Sequence, residues 1–130
     1  MSPMVSYPTD YRDPWIDENG LLHFQIGMQR PSMTRVRTLF QQARELTADG
    51  LLPLIVDGRA MRIGPPAPVW TFAIYRLAGI ASAIAFLFSD ESPPEVWKFQ
   101  QGLGALMLPT RTFEEEAEAV AWLQSFGDQR

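Results

Sequence analysis

With 130 residues, 46% of them apolar, and a formal charge of −4, the chain is long enough to fold around one core and carries no basic stripe of the kind that tracks a nucleic-acid backbone. It contains no cysteine, which excludes disulfides, thiolate nucleophiles and sulfur-ligated metals and suits a reducing cytoplasm. The N-terminus lacks the basic-then-apolar pattern of a secretory signal, so a cytoplasmic protein that is not exported is expected.

Residues 1–13, with Pro3 and Pro8 and little periodicity, read as an irregular arm, and residues 14–127 as a single domain. After Trp15 and Ile16, Asn19-Gly20 marks a tight hairpin turn, because both residues tolerate the positive φ such turns require. Leu22, Phe24 and Ile26 then alternate with Leu21, His23 and Gln25 as a half-buried strand. From Ser32 to Ala48 a helix is expected, with Val36, Leu39, Phe40, Ala43 and Leu46 on its core face, Arg35, Thr38, Gln42 and Glu45 on the other, and Gly50 as its C-terminal cap. Leu51 to Val56 is a continuous apolar run closed by Asp57-Gly58, the form of a strand buried on both faces.

Val69 to Phe88 approaches the length of a membrane span with Arg76 as its only charge. Gly79 and Ser82 fall where a water-soluble helix would stop and a strand begin, so the segment is read as a helix from Pro68 to Ala78 followed by a strand from Ser82 to Phe88, with no membrane span. Ser92-Pro93-Pro94-Glu95 has the spacing of a capping box that opens a third helix, whose core face is Val96, Phe99, Leu103 and Leu106. A short strand between Leu108 and Phe113 is placed at a sheet edge because Pro109 cannot donate to a ladder. The last helix opens on Glu114, Glu115, Glu116 and Glu118 and carries Ala119, Val120, Leu123 and Phe126 as its apolar stripe, with Trp122 beside them. Strands alternating with helices in this way predict an α/β fold: a mostly parallel mixed sheet of about five strands with an N-terminal hairpin, flanked by about four helices.

Few residues bear chemistry. His23 is the only histidine and reads as a surface or edge residue, so no general base is expected, and one His with scattered carboxylates offers no metal-ligand spacing. Gly102-Leu103-Gly104 lacks the third glycine of a phosphate-cradling loop, and no cofactor is expected. The acidic run Glu114 to Glu118 has the charge of a cation or protein site, yet a solvated helix start that complements the dipole explains it better. Asp57, Arg59, Arg62 and Gly64, with Ser89, Asp90 and Glu91 after the next strand, fall beyond the carboxyl ends of parallel strands, where open α/β sheets hold ligands. Two arginines there can grip an anion bidentately, or Asp57 can pair with Arg59 or with backbone donors. On the second helix Trp70, Ala73, Ile74 and Leu77 form a stripe suited to the sheet, while Thr71, Phe72, Tyr75 and Arg76 take the opposite side. Either the Pro-rich arm covers that side, or a second molecule does; aromatics with arginine are the types enriched at interface centres.

The order of these elements, with Leu54-Ile55-Val56-Asp57, Ala83 to Phe88, and the ending from Arg111-Thr112-Phe113 through the glutamates to Ala121-Trp122-Leu123, resembles the STAS superfamily, and within it the bacterial SpoIIAA-like branch. The resemblance covers roughly Trp15 to Phe126 and implies a mixed sheet flanked by helices and a regulatory role. Anti-sigma factor antagonists of this kind bind a kinase partner and are switched by phosphorylation of a serine after the central strand. Here that loop, 57–65, contains no Ser or Thr. The expected function is therefore a non-enzymatic binding or regulatory domain acting through protein contacts, as a homodimer or with another protein, with Phe72, Tyr75 and Arg76 at the interface. The alternative is a small carrier enclosing a lipid or acyl ligand between the second and third helices, lined by Met61, Trp70, Trp97 and Phe99.

Overall fold

The structure, a computed structural model, describes residues 11–48, 50–94, 101–102, 104–105 and 107–127. The chain opens with a hairpin of β1 (Trp15–Ile16) and β2 (Leu22–Gln25), paired antiparallel with Trp15 opposite His23. Its loop differs from the expected two-residue turn. Asp17 N–H donates to Leu21 C=O at 3.0 Å, leaving three residues between them, and only Gly20 takes a positive φ, of 79°. Asp17 decides this: its Oδ1 accepts from the N–H groups of Asn19 at 2.8 Å and Leu21 at 3.1 Å, an arrangement that leaves Asn19 with ordinary backbone angles.

Helix α1 (Met33–Thr47) starts on Ser32, whose Oγ accepts from Arg35 N–H at 3.2 Å, and buries Val36, Leu39, Phe40 and Ala43. Leu46, expected on that face, lies 43% exposed because the helix ends one residue later, past the edge of the packed layer. The left-handed capping residue is Ala48, at φ 49°, rather than Gly50. An L-residue there costs about 1–2 kcal/mol, partly offset in glycine by its larger loss of chain entropy. Ala48→Gly is therefore expected to raise stability by about 0.5–1 kcal/mol, read as a higher urea midpoint at unchanged slope.

Strands β3 (Leu52–Asp57), β4 (Ala81–Leu87) and β5 (Thr110–Phe113) complete a five-stranded sheet of order β1-β2-β3-β4-β5, parallel from β2 onward. Each new strand is added to the same edge, so crossovers of one hand place their helices on one face. Accordingly α1 and α2 (Ala67–Ala78) share one apolar cluster with Leu22, Phe24, Leu54, Val56, Ile84 and Phe86. The helix that follows β5, α3 (Glu116–Gly127), packs on the other face, where Ala119 and Leu123 meet Leu21, Ile55, Ala85, Leu87 and Phe113.

Val69 to Phe88 bends as expected: α2 ends at Ala78 and β4 begins at Ala81. Gly79 keeps a right-handed backbone, and the turn is closed by Gly79 N–H to Arg76 C=O and Ile80 N–H to Leu77 C=O. No helix among the described residues is long and apolar enough to cross a membrane. Pro53, inside the central strand β3, is accommodated where the β3–β4 register shifts: Leu52 pairs with Ala81 and Pro53 with Ala83, so Ser82 bulges out and is exposed. Pro109 lies beside the edge strand and contributes only its carbonyl, which accepts from Ile84 N–H at 2.9 Å.

Three helices are bounded in full. Gln101, Gly102, Gly104 and Ala105 are helical within the expected third helix, but Glu95 of the capping box and Val96, Trp97, Phe99, Leu103 and Leu106 lie outside the described residues. Ser92 Oγ turns back to accept from Ser89 N–H at 2.9 Å. In α3, Glu114 and Glu115 precede the helix instead of opening it, and Phe126 is 37% exposed.

Candidate interaction groove

The outward sides of α1 and α2 meet along a groove. On α1 the 3–4 spacing of Arg37, Phe40, Gln41, Arg44 and Glu45 turns these residues toward α2, and on α2 Phe72, Tyr75 and Arg76 face back. One stretch, of about 600 Å³, is walled by Arg37, Gln41, Arg44, Glu45, Phe72 and Arg76 over a floor of Phe40. It continues past Arg44 and Arg76 into a second stretch of about 300 Å³ bounded by Thr47, Tyr75, Gly79 and Ile80.

The α2 face is not bare on every side. Phe72 is half-buried, stands edge-on to Phe40 at 6.1 Å, and joins the core through it, since Phe40 packs edge-on to Phe24 at 5.5 Å. Ile74 is likewise covered, lying so close to Gly102 that a Cβ there would come within 2.7 Å of its Cδ1. Intramolecular cover therefore comes from α1 and the helical residues around Gly102. What stays open on that side is Thr71, Arg76 and Tyr75, the last 66% exposed.

The arginines give the groove its chemistry. The guanidinium carbons of Arg37 and Arg76 lie 5.5 and 5.1 Å from the centre of the same Phe72 ring, within cation–π range. None of Arg37, Arg44 and Arg76 meets a carboxylate among the described residues, although Glu45 stands on the groove wall. Arg44 and Arg76 sit in the last turns of their helices, where positive charge complements the dipole, but that leaves their donors available.

The other expected site is assembled differently. Arg59 closes onto Asp57 bidentately, Nε at 3.0 Å from Oδ1 and Nη2 at 2.9 Å from Oδ2, and its N–H also donates to Oδ1. Arg62 donates to the carbonyls of Arg59 and Met61 and pairs with Glu91 at 2.7 Å. Gly64 C=O accepts from Arg30 Nε, Ser89 Oγ accepts from Glu91 N–H, and Asp90 is exposed. The loops are thus near one another, with Arg59 held by Asp57 within its own loop and Arg62 tying that loop to Glu91.

An apolar cavity of about 60 Å³ lies beneath α1 and α2 at the carboxyl ends of the strands, bordered by Phe24, Val36, Met61, Trp70, Phe86 and Phe88. Met61 and Trp70 do share a cavity, but it opens between the sheet and these two helices. It is smaller than the cavity of about 150 Å³ that admits benzene.

His23 is buried, 8% exposed, contrary to its expected place at the surface. Its ring stacks on Trp15 at 4.6 Å, Arg12 lies over the far face of that indole at 3.8 Å, and its Nε2 is 2.7 Å from Asp17 Oδ2. Burial raises the Asp17 pKa, but hydrogen bonds from His23, Leu21 and Asn19 outweigh it and hold the carboxyl below its ordinary range. A depressed folded-state pKa means that the unfolded chain binds the proton first. The Asp17 contribution is therefore complete above the ordinary carboxylate range and is lost as pH falls through the lower folded value. Asp17→Asn is expected to cost about 1–3 kcal/mol at neutral pH and to flatten the acid limb of stability against pH, measured by urea unfolding from pH 7 downward.

Sequence reasoning misses both features, and the signals the sequence offers for them are partial: the 3–4 spacing that puts Arg37, Gln41 and Arg44 on one stripe of α1 without saying what that stripe faces, and Asp17 within reach of the turn it organises. Among the described residues no three His, Asp or Glu side chains come together as a metal set. No family model and no curated protein matches this chain.

Proposed function

We propose that this chain is a non-enzymatic, STAS-like binding domain that acts through protein contacts, and that its partner presents carboxylates to the α1–α2 groove. The observation that carries the reading is the set of three arginines, two of them on one aromatic ring, without ion pairs among the described residues in a chain of net charge −4. Charge of the minority sign gathered in one concave place favours an anionic occupant, and Tyr75 adds the exposed aromatic surface typical of interface centres. The loop after β3 has no hydroxyl to phosphorylate, and its Arg59 is held by Asp57, so partner choice rests on the groove rather than on a phosphoryl switch. A chain without cysteine suits a reducing cytoplasm.

The test is an amide-resolved NMR titration with a glutamate-rich peptide at low salt. Shifts are expected at Arg37, Gln41, Arg44, Tyr75 and Arg76. Shifts confined to Asp57 through Gly64 would move the site to that loop, and none at all would end the reading. The carrier alternative rests on the 60 Å³ apolar cavity, which takes only a few heavy atoms without opening; a fatty acid bound in native mass spectra would favour it.

A further inference from the structure

A counterpart to the groove is present on the chain itself. Glu114, Glu115, Glu116 and Glu118 fall within five positions, all four are exposed, and none meets a cation among the described residues. A helix N-terminus favours nearby negative charge, yet four carboxylates so close together also repel one another, and a cationic surface laid against them would relieve that repulsion. The groove of the same molecule is out of reach: α1 and α2 cover one face of the sheet, and α3 begins on the other.

Resting on the reading of the groove given above, we infer that its occupant is the acidic start of α3 from a second copy of this chain. The dimensions agree. Arg37 and Arg44 are seven residues apart on α1, about 10 Å along the axis. Glu114 and Glu115 form the bend that leads into α3 and Glu118 lies two helical steps beyond Glu116, so the run spans at most about 10 Å. Arg76, across the groove from both, meets the middle of the run, and Tyr75 gives the contact an aromatic border. The contact joins unlike surfaces on opposite faces of the fold, so each added copy still offers a free groove or a free acidic end. Association is therefore head-to-tail and grows with concentration instead of closing as a pair.

Sedimentation equilibrium of the full chain tests this. At low salt the average mass is expected to climb beyond that of a dimer with concentration. In about 1 M salt, where the screening length falls to about 3 Å, it should return to the monomer. Two variants sharpen the result, each altering only exposed side chains: Arg44→Gln/Arg76→Gln removes the receiving surface, and Glu115→Gln/Glu116→Gln removes the inserting one. Each alone should be monomeric at concentrations about tenfold above those that assemble the wild type, and an equimolar mixture should form a complex that stops at two chains, because only one intact contact is possible. A wild type that stays monomeric, one that stops at a dimer, or assembly indifferent to both variants would overturn the inference. If the wild type is monomeric while the glutamate-rich peptide still shifts the groove amides, only the self-recognition falls. If both experiments are silent, the groove reading falls with it.

Discussion

Phe86→Ala is expected to lower stability by about 3–5 kcal/mol, the largest effect of any single truncation considered for this fold. Phe86 is 1% exposed on interior strand β4, stacks on Phe88 at 5.4 Å with ring planes 10° apart, and belongs to the cluster that joins both helices to β2, β3 and β4. It also borders the existing cavity of about 60 Å³, so truncation enlarges a void that neighbouring rings already fail to fill. Against a typical domain stability of about 5–15 kcal/mol, such a loss moves the urea midpoint far toward zero. Phe86→Leu, which retains most of the volume, should cost clearly less. Equal losses for the two would show that the position is not packed as described.

Arg44→Glu/Arg76→Glu is the second large effect, and it concerns binding. Both side chains are exposed and border both stretches of the groove, so the reversal alters its charge without touching the core. Like-charge juxtaposition across an interface costs several kcal/mol, which corresponds to a loss of about a hundredfold or more in affinity for a glutamate-rich peptide. Thermal unfolding should stay close to wild type, apart from a small penalty for placing carboxylates in the last turns of α1 and α2. Fluorescence anisotropy of the labelled peptide gives the affinity, and circular dichroism the fold.

The parts of this molecule that follow from local chemistry were legible in the sequence. Leu54-Ile55-Val56 and Ala83 to Phe88 read as buried parallel strands because continuous apolar runs of that length fit little else, and both pair as expected. The edge position of β5 followed from Pro109. The hairpin loop is less legible: Asn19-Gly20 suggests a two-residue turn, whereas the Asp17 carboxylate organises a three-residue one. That difference also hid His23: only the actual register sets it opposite Trp15 and within 2.7 Å of Asp17, converting an apparent edge residue into a buried, hydrogen-bonded one. Half of the groove was visible in the same way. Phe72, Tyr75 and Arg76 stand out as the face of α2 turned from its core stripe, while Arg37 and Arg44 belong neither to the core stripe of α1 nor to the polar face read from Arg35, Thr38, Gln42 and Glu45. Their convergence depends on how α1 and α2 lie side by side, and no spacing within either helix encodes that placement. The same dependence moved Phe72 from an exposed anchor to a ring shared between Phe40 and two guanidinium groups.

The absence of native cysteine permits a direct measurement of where binding occurs. Gln41→Cys, on the exposed wall of the groove, and Gln124→Cys, exposed on α3 at the other face of the sheet, would each carry one environment-sensitive fluorophore. Titration with a glutamate-rich peptide should shift the emission of the label at position 41 in a saturable, salt-sensitive manner and leave the label at 124 unchanged. Equal responses at both positions, or a response at 124 alone, would contradict the assignment of the α1–α2 groove as the binding surface.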